Sequence, residues 1–226
     1  MPFVHTTPHY EYKLEQSLHD AIHNNPNANE APYYEVWNLW LNDLVLNTKH
    51  YTCRPQGVLS INIKSDKSTV GLPNVKKKPV KRSPDFIVYY NTNTTDENGG
   101  YTLQRSVAFV AEVKPWAMAM GEDTEKLVKD FSVSEFLEQV RDHAKMVMNE
   151  HGMSRVWLVQ CLGMFWRAGI LKNENLSPFV KRSRAKKGRP QIHGTAIEWW
   201  PIQRLGHPDS DIQQEKFWLA MSDDVE

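Results

Sequence analysis

Ser83-Pro84-Asp85-Phe86-Ile87-Val88-Tyr89-Tyr90 and Ser106-Val107-Ala108-Phe109-Val110-Ala111-Glu112-Val113-Lys114-Pro115 are the stretches on which the fold turns. Both are rich in β-branched and aromatic residues and bounded by turn chemistry, so they predict neighbouring strands. Between them, residues 91–100 are polar and end in Gly99-Gly100, which predicts a hairpin loop longer than the tightest types. Alternation along the second strand puts Glu112 and Lys114 on one face with Val110 and Ala108, within reach of Asp85 across the strand pair.

An acid directed inwards from an apolar strand is costly unless it is paired or bound to a metal. A salt bridge at the sheet edge is the structural alternative. Two carboxylates converging with a lysine suit a hard divalent cation, Mg2+ or Mn2+, which takes oxygen ligands and keeps waters or phosphate in its other positions. Such an ion polarises a phosphoryl group and supplies a bound hydroxide, while the lysine orients the attacking water or offsets developing charge.

Pro84-Asp85 and Glu112-Val113-Lys114 together resemble the signature of the PD-(D/E)XK nuclease superfamily, whose restriction-endonuclease-like core runs helix, three strands, helix, strand. The resemblance implies an α/β fold, a mixed central sheet flanked by helices, with extra strands at the C-terminal side. It implies that Asp85 and Glu112 are metal ligands, that the Val113 carbonyl completes the coordination, and that Lys114 is the catalytic lysine. Members often carry a polar residue, commonly Gln, on the helix after the motif, which points to Gln139. Some carry a further acid on the first core helix, and Glu35 is the best placed, with Glu15 on an earlier helix as the alternative. The hydrophilic insertions and Trp-rich composition loosely resemble stand-alone eukaryotic members, including fungal ones. The viral cap-cleaving branch adds a metal-binding His on an early helix; His50 falls past the helix end, so the chain is not placed there.

The surrounding segments fall in the order that core requires. Pro32 to Asn47 predicts an amphipathic helix burying Tyr33, Val36, Trp37, Trp40, Leu41, Leu44 and Val45. Gly57 to Lys64 follows as the first strand. Val133 to Glu150 repeats Val133, Phe136, Leu137, Val140, Ala144, Val147 and Met148 at helical spacing, with Ser132 or Ser134 to cap it and Gly152 to end it. Gln139 and His143 lie one turn apart beside that face. Arg155 to Leu162 reads as a buried strand, Met164 to Leu171 as its hairpin partner across Gly163, and 196–201 as another strand. The expected organisation is one domain over 1–226, with its core at about 32–165, an N-terminal helix at 10–24 and C-terminal decorations at 166–226.

At 226 residues and 40% hydrophobic, with eight each of Trp, Tyr and Phe, the chain can bury a full core. No apolar run is long enough to span a membrane and the amino terminus lacks a secretory signal, so an intracellular, nuclear or cytoplasmic protein is expected. Only two cysteines occur; Cys161 lies in an apolar strand and reads as a buried thiol of a reducing compartment. His19 and His23 are spaced like zinc ligands on a helix, but no third ligand is evident and a plain surface helix is the better reading.

The zero net charge conceals an asymmetry. Between Arg54 and Arg82 eight Lys or Arg face one acid, Asp66; between Arg167 and Arg189 eight face one, Glu174. Basic segments around an acidic metal site suit a nucleic-acid hydrolase, because phosphate contacts supply most non-specific affinity. Lys76, Lys77, Lys78, Lys81 and Arg82 lead directly into Asp85. Lys186, Lys187 and Arg189 belong to a second run, in which Lys187-Gly188-Arg189-Pro190 resembles an AT-hook; a nuclear-import signal or a solvated loop are the alternatives. Trp199-Trp200 reads as core or interface ahead of a base-stacking platform.

The expected function is a divalent-metal-dependent nuclease acting on DNA, with RNA second. Many such enzymes act as homodimers, although nothing in the sequence identifies an interface. The alternative is a catalytically inactive nucleic-acid-binding or scaffolding protein on the same fold.

Overall fold

A computed structural model describes residues 9–25, 29–46, 50–57, 59–61, 80–95, 100–116, 124–172 and 197–223. It opens with helices α1 (Tyr10–His23) and α2 (Ala31–Leu46), followed by strands β1 (Tyr51–Pro55), β2 (Leu59–Ile61) and β3 (Val80–Arg82). The hairpin of β4 (Phe86–Thr95) and β5 (Tyr101–Lys114) comes next, then helices α3 (Thr124–Phe131) and α4 (Ser134–His151). Strands β6 (Arg155–Leu162), β7 (Phe165–Lys172), β8 (Glu198–Trp199) and β9 (Gln203–Arg204) lead to helix α5 (Pro208–Asp223).

The fold is α/β. Among the described residues, seven strands form one open mixed sheet in the order β1-β4-β5-β6-β7-β8, with β9 also pairing β7; β2 and β3 make a separate antiparallel pair. β4 runs antiparallel to both of its neighbours, β1 and β5, β6 is parallel to β5, and β7 turns back antiparallel. The parallel step demands a crossover, which α3 and α4 supply.

Each face of the sheet carries its own helices. Phe86, Val88, Phe109, Ala111, Val113, Val159 and Trp166 pack with α1, α2 and α5, while Ile87, Val110, Leu158 and Leu171 pack with α3 and α4. All seven apolar residues expected on the inner side of α2 are buried. Each contributes roughly 1.5–3 kcal/mol of transfer free energy. On α4, Phe136, Val140, Ala144, Val147 and Met148 are buried, but Val133 is exposed because it is the N-cap. The N-cap of that helix is Val133, with Ser134 as its first residue, and the Ser132 hydroxyl donates back to Val128 O at 2.8 Å and so closes α3. Gly152 ends α4 in the left-handed region, as expected.

The hairpin strands are longer than their apolar parts. Polar residues 91–95 and 101–105, expected as loop or flank, continue the ladder, Asn91 opposite Arg105 and Thr95 opposite Tyr101. Backbone pairing needs no apolar side chain where the sheet meets solvent. The register shifts between Val88 and Tyr89, whose partners are Phe109 and Val107. Ala108 is therefore the extra residue of a bulge, and it joins the α2-side cluster with Phe109 instead of sharing the face of Glu112. The edge strand beside β4 is β1, not the expected Gly57–Lys64 segment, of which only Gly57 and β2 are described.

The β6–β7 turn holds the strand ends together. Gly163 has φ 58, and a Cβ there would meet Trp116 Cβ at 2.9 Å. Its N–H donates to Lys114 O at 2.9 Å, and its carbonyl accepts from Trp37 Nε1 at 2.9 Å. Among the described residues no helix is long and apolar enough to cross a membrane.

Candidate active site

Asp85 sits immediately before β4, and its carbonyl accepts from Gln56 N–H at 2.7 Å, which continues the β1–β4 pairing past the end of both strands. The Asp85 side chain is held from two directions. Oδ2 accepts the Val113 N–H at 2.7 Å, and Oδ1 accepts the Tyr34 hydroxyl of α2 at 2.5 Å. Val113 itself buries its side chain on the α2 face. In an extended strand a residue's N–H and C=O point to the same neighbour, so the Val113 carbonyl also faces the Asp85 side.

Glu112 is 1% exposed and stands over the α4 face. Gln139 Nε2 donates to its Oε1, and His143 Nδ1 lies 3.1 Å from its Oε2. An ionised carboxylate only accepts, so this network assigns the hydrogen to His143 Nδ1. Lys114 Nζ lies 3.5 Å from Glu112 Oε1 and 3.1 Å from Glu30 Oε1. Asp85, Glu112 and Lys114, drawn together from the sequence, thus converge at the carboxyl end of β5, joined by Gln139.

The first-helix acid differs from expectation. Glu35 is exposed, a hundred degrees around α2 from Tyr34, and the carboxylate that reaches the site is Glu30, one turn before Tyr34 and on the same side. Glu15, the alternative, is also exposed. Glu30 stands just before Ala31, the first residue of α2, and its carbonyl accepts the Tyr34 N–H at 3.2 Å, so it belongs to the helix entry and not to the helical face that the sequence pattern describes. The available signal was the one-turn spacing of Glu30 and Tyr34 beside the helix entry.

The electrostatics follow from crowding acids in a dry place. Burial, and then the charge of Glu112, push Asp85 up to about 6, against the lowering effects of Tyr34, Val113 and Lys114. Burial works to lower the Lys114 ammonium, but Glu112, Glu30 and Asp85 outweigh it and leave it raised. Tyr34 is raised by its burial and by its bond to Asp85, so it stays a donor. Behind the site Cys161 is buried, and burial first, then the two acids, raise its thiol well above the usual range.

The donor set fits a small hard cation. Two carboxylates and a backbone carbonyl are oxygen ligands, and Glu112 Oε2 keeps a free acceptor direction beside His143. Among the described residues no three His, Cys, Asp or Glu side chains gather into a ready cage. A magnesium-class site with two carboxylates and several waters needs no such cage.

In register with Glu112 stand Gln160 on β6 and Arg167 on β7, both buried. Arg167 Nε donates to Gln160 Oε1 at 2.8 Å and Nη2 to Phe131 O at 2.8 Å, with the guanidinium 4.2 Å from the Trp199 ring centre. Trp199 is thereby engaged inside the protein, and Trp200 packs on Trp157 and Phe217.

Of the basic residues, Lys81 and Arg82 lie in β3, a few residues ahead of Asp85. Lys76, Lys77, Lys78, Lys186, Lys187 and Arg189 lie outside the described residues. His19 and His23 are exposed on α1 with ring centres 4.6 Å apart, and His50 is exposed beside Tyr90. The chain matches no family model, and no curated protein or solved structure matches it.

Proposed function

We propose that the chain is a divalent-metal-dependent nuclease that hydrolyses phosphodiester bonds, of DNA ahead of RNA, on a restriction-endonuclease-like core. The observation that carries this reading is the convergence of Asp85, Glu112 and Lys114 at one strand end, with both carboxylates buried and no aliphatic purpose for either. The run of α2, β1, β4, β5, α4 and β6, antiparallel twice and then parallel, supports it as the helix, three strands, helix, strand order of that core.

Asp85, Glu112 and the Val113 carbonyl would hold Mg2+ or Mn2+. Such an ion, when bound, supplies Lewis acidity toward the scissile phosphate and a water of lowered pKa. Lys114 places a cation beside Glu112, where it orients the attacking water and offsets the charge that grows on the phosphoryl oxygens. Gln139 and His143 fix Glu112 in one orientation, as the outer partners of a ligand do. Glu30 holds the ammonium from the other side. The basic run ending in Lys81 and Arg82 reaches the site through the chain and would grip backbone phosphates.

The test is incubation with circular single- and double-stranded DNA and with RNA, in Mg2+, in Mn2+ and in chelator. Metal-dependent cleavage should fall by about 100-fold or more in Lys114→Ala and Asp85→Ala while binding persists. Binding without cleavage under every condition sinks the proposal.

A further inference from the structure

We infer that Arg167 is a phosphate-binding residue, which holds the nucleic-acid backbone a few nucleotides from the bond that is cut. This rests on the nuclease reading above and adds to it where the strand lies.

Arg167 stands on β7 and is only 8% exposed. Its Nε donates to Gln160 Oε1 and its Nη2 to Phe131 O, each at 2.8 Å. The guanidinium carbon lies 5.1 Å from the Phe131 ring centre and 4.2 Å from that of Trp199. Two aromatic faces and the carbonyl end of α3 thus hold a cation in place, but none of them carries a full negative charge.

The charge is not balanced within the described residues. Burial pushes the guanidinium down to about 10, and no acid among them stands close enough to raise it again. A buried cation without an anion is costly. The two bonds that Arg167 makes inside the protein ask for donors and not for charge, so they do not account for a guanidinium here. An anion arriving from outside does.

The group is also open to one. An arginine carries five N–H donors in a planar fork. Among the described residues Nη1 has no partner, yet the buried side-chain atoms left without one are Arg141 Nε, Gln160 Nε2 and Gln214 Nε2. Nη1 therefore reaches the surface. A guanidinium locked through Nε and Nη2 and open at Nη1 offers a preorganised, charge-assisted donor to a phosphate oxygen.

Register places it beside the proposed metal site. Glu112 pairs with Gln160 and Gln160 with Arg167, so Arg167 stands on the same face of the sheet as Glu112, two strand spacings or about 10 Å away. A duplex strand advances about 3.4 Å along its axis per phosphate, so the phosphate at Arg167 lies roughly three nucleotides from the scissile one.

Binding of fluorescein-labelled single- and double-stranded DNA, followed by anisotropy in chelator between about 50 and 200 mM salt, compares wild type with Arg167→Gln, whose fold a thermal melt checks. Loss of one phosphate contact should weaken binding by about tenfold and make the dependence of log Kd on log salt shallower by about one. In Mg2+, wild type should cut poorly at a fixed offset from a single neutral methylphosphonate placed in the strand, and the variant should not show that gap. Arg167→Lys serves where the Gln variant does not fold. It keeps a charge at the end of α3 but cannot hold Gln160 and Phe131 and also present a second nitrogen outwards, so the gap should vanish there too. A variant that melts lower but keeps its affinity, salt slope and cleavage gap overturns the inference and leaves Arg167 a structural residue. Weaker binding with an unchanged slope overturns it as well, because the loss is then indirect. A wild type that neither binds nor cuts nucleic acid overturns the nuclease reading first, before any variant is made.

Discussion

Asp85 keeps its proton to about 6 in the folded chain, against an ordinary value of 3.8, because it is buried and faces Glu112. The folded state therefore binds more protons than the unfolded state between those values, and stability falls as pH rises through that window. In chelator, the melting temperature should show a component that drops from pH about 4 to about 6. Asp85→Asn should remove that component, leaving a flatter profile over the same range, as thermal melts across pH would show. Unchanged pH dependence in the variant would place the acid in a wetter setting than its contacts indicate. The same crowding explains what could be read in advance. Asp85, Glu112 and Lys114 were legible because a charge beside an apolar strand stands out against its neighbours. Glu30 and Tyr34 were not, since a Glu at a helix entry or a Tyr in its first turn becomes a site residue only when the helix is docked with that side toward the strand ends.

Between elements, the least expected device is the buried row of Glu112, Gln160 and Arg167 across three strands. Arg167 binds the last carbonyl of α3, the amide of Gln160 and the face of Trp199, so one guanidinium joins a helix end and two strands. A cation at a helix C-terminus is also favoured by the helix dipole. Arg167→Lys keeps the charge but loses the planar fork and the stacking, and should destabilise by about 3 kcal/mol, measured as a lower urea midpoint with unchanged slope. The elements missed from the sequence were those with little apolar pattern. β1 buries only Tyr51 among its five residues, as an edge strand can, and α3 shows just Leu127 and Phe131 on its inner side. The bulge at Ala108 was equally hidden, because alternation carries no mark of where a strand takes an extra residue.

Across the whole molecule, α5 closes the α2 side of the sheet. It buries Ser210, Gln214, Phe217 and Met221, which recur at helical spacing. Two of the four are polar, so the period does not show in the apolar residues alone. Phe217 meets Phe109 of β5, Trp157 of β6, Trp166 of β7 and Trp200, and Gln214 Oε1 accepts from Trp40 Nε1 of α2 at 2.8 Å. Phe217→Ala should cost about 3–5 kcal/mol in equilibrium unfolding, because it opens a cavity where α5 meets the sheet. A cost below about 1 kcal/mol would mean that α5 docks without this anchor. The sequence by itself determined the α/β class, the central hairpin, both long amphipathic helices and the trio of Asp85, Glu112 and Lys114, all of which are written in local periodicity and in charge set against apolar runs. Only the tertiary structure decided the edge strand, the bulge, the helix that seals the core and the choice of Glu30 and Tyr34 over Glu35. Those depend on how elements dock, and docking is settled by contacts between residues far apart in the chain.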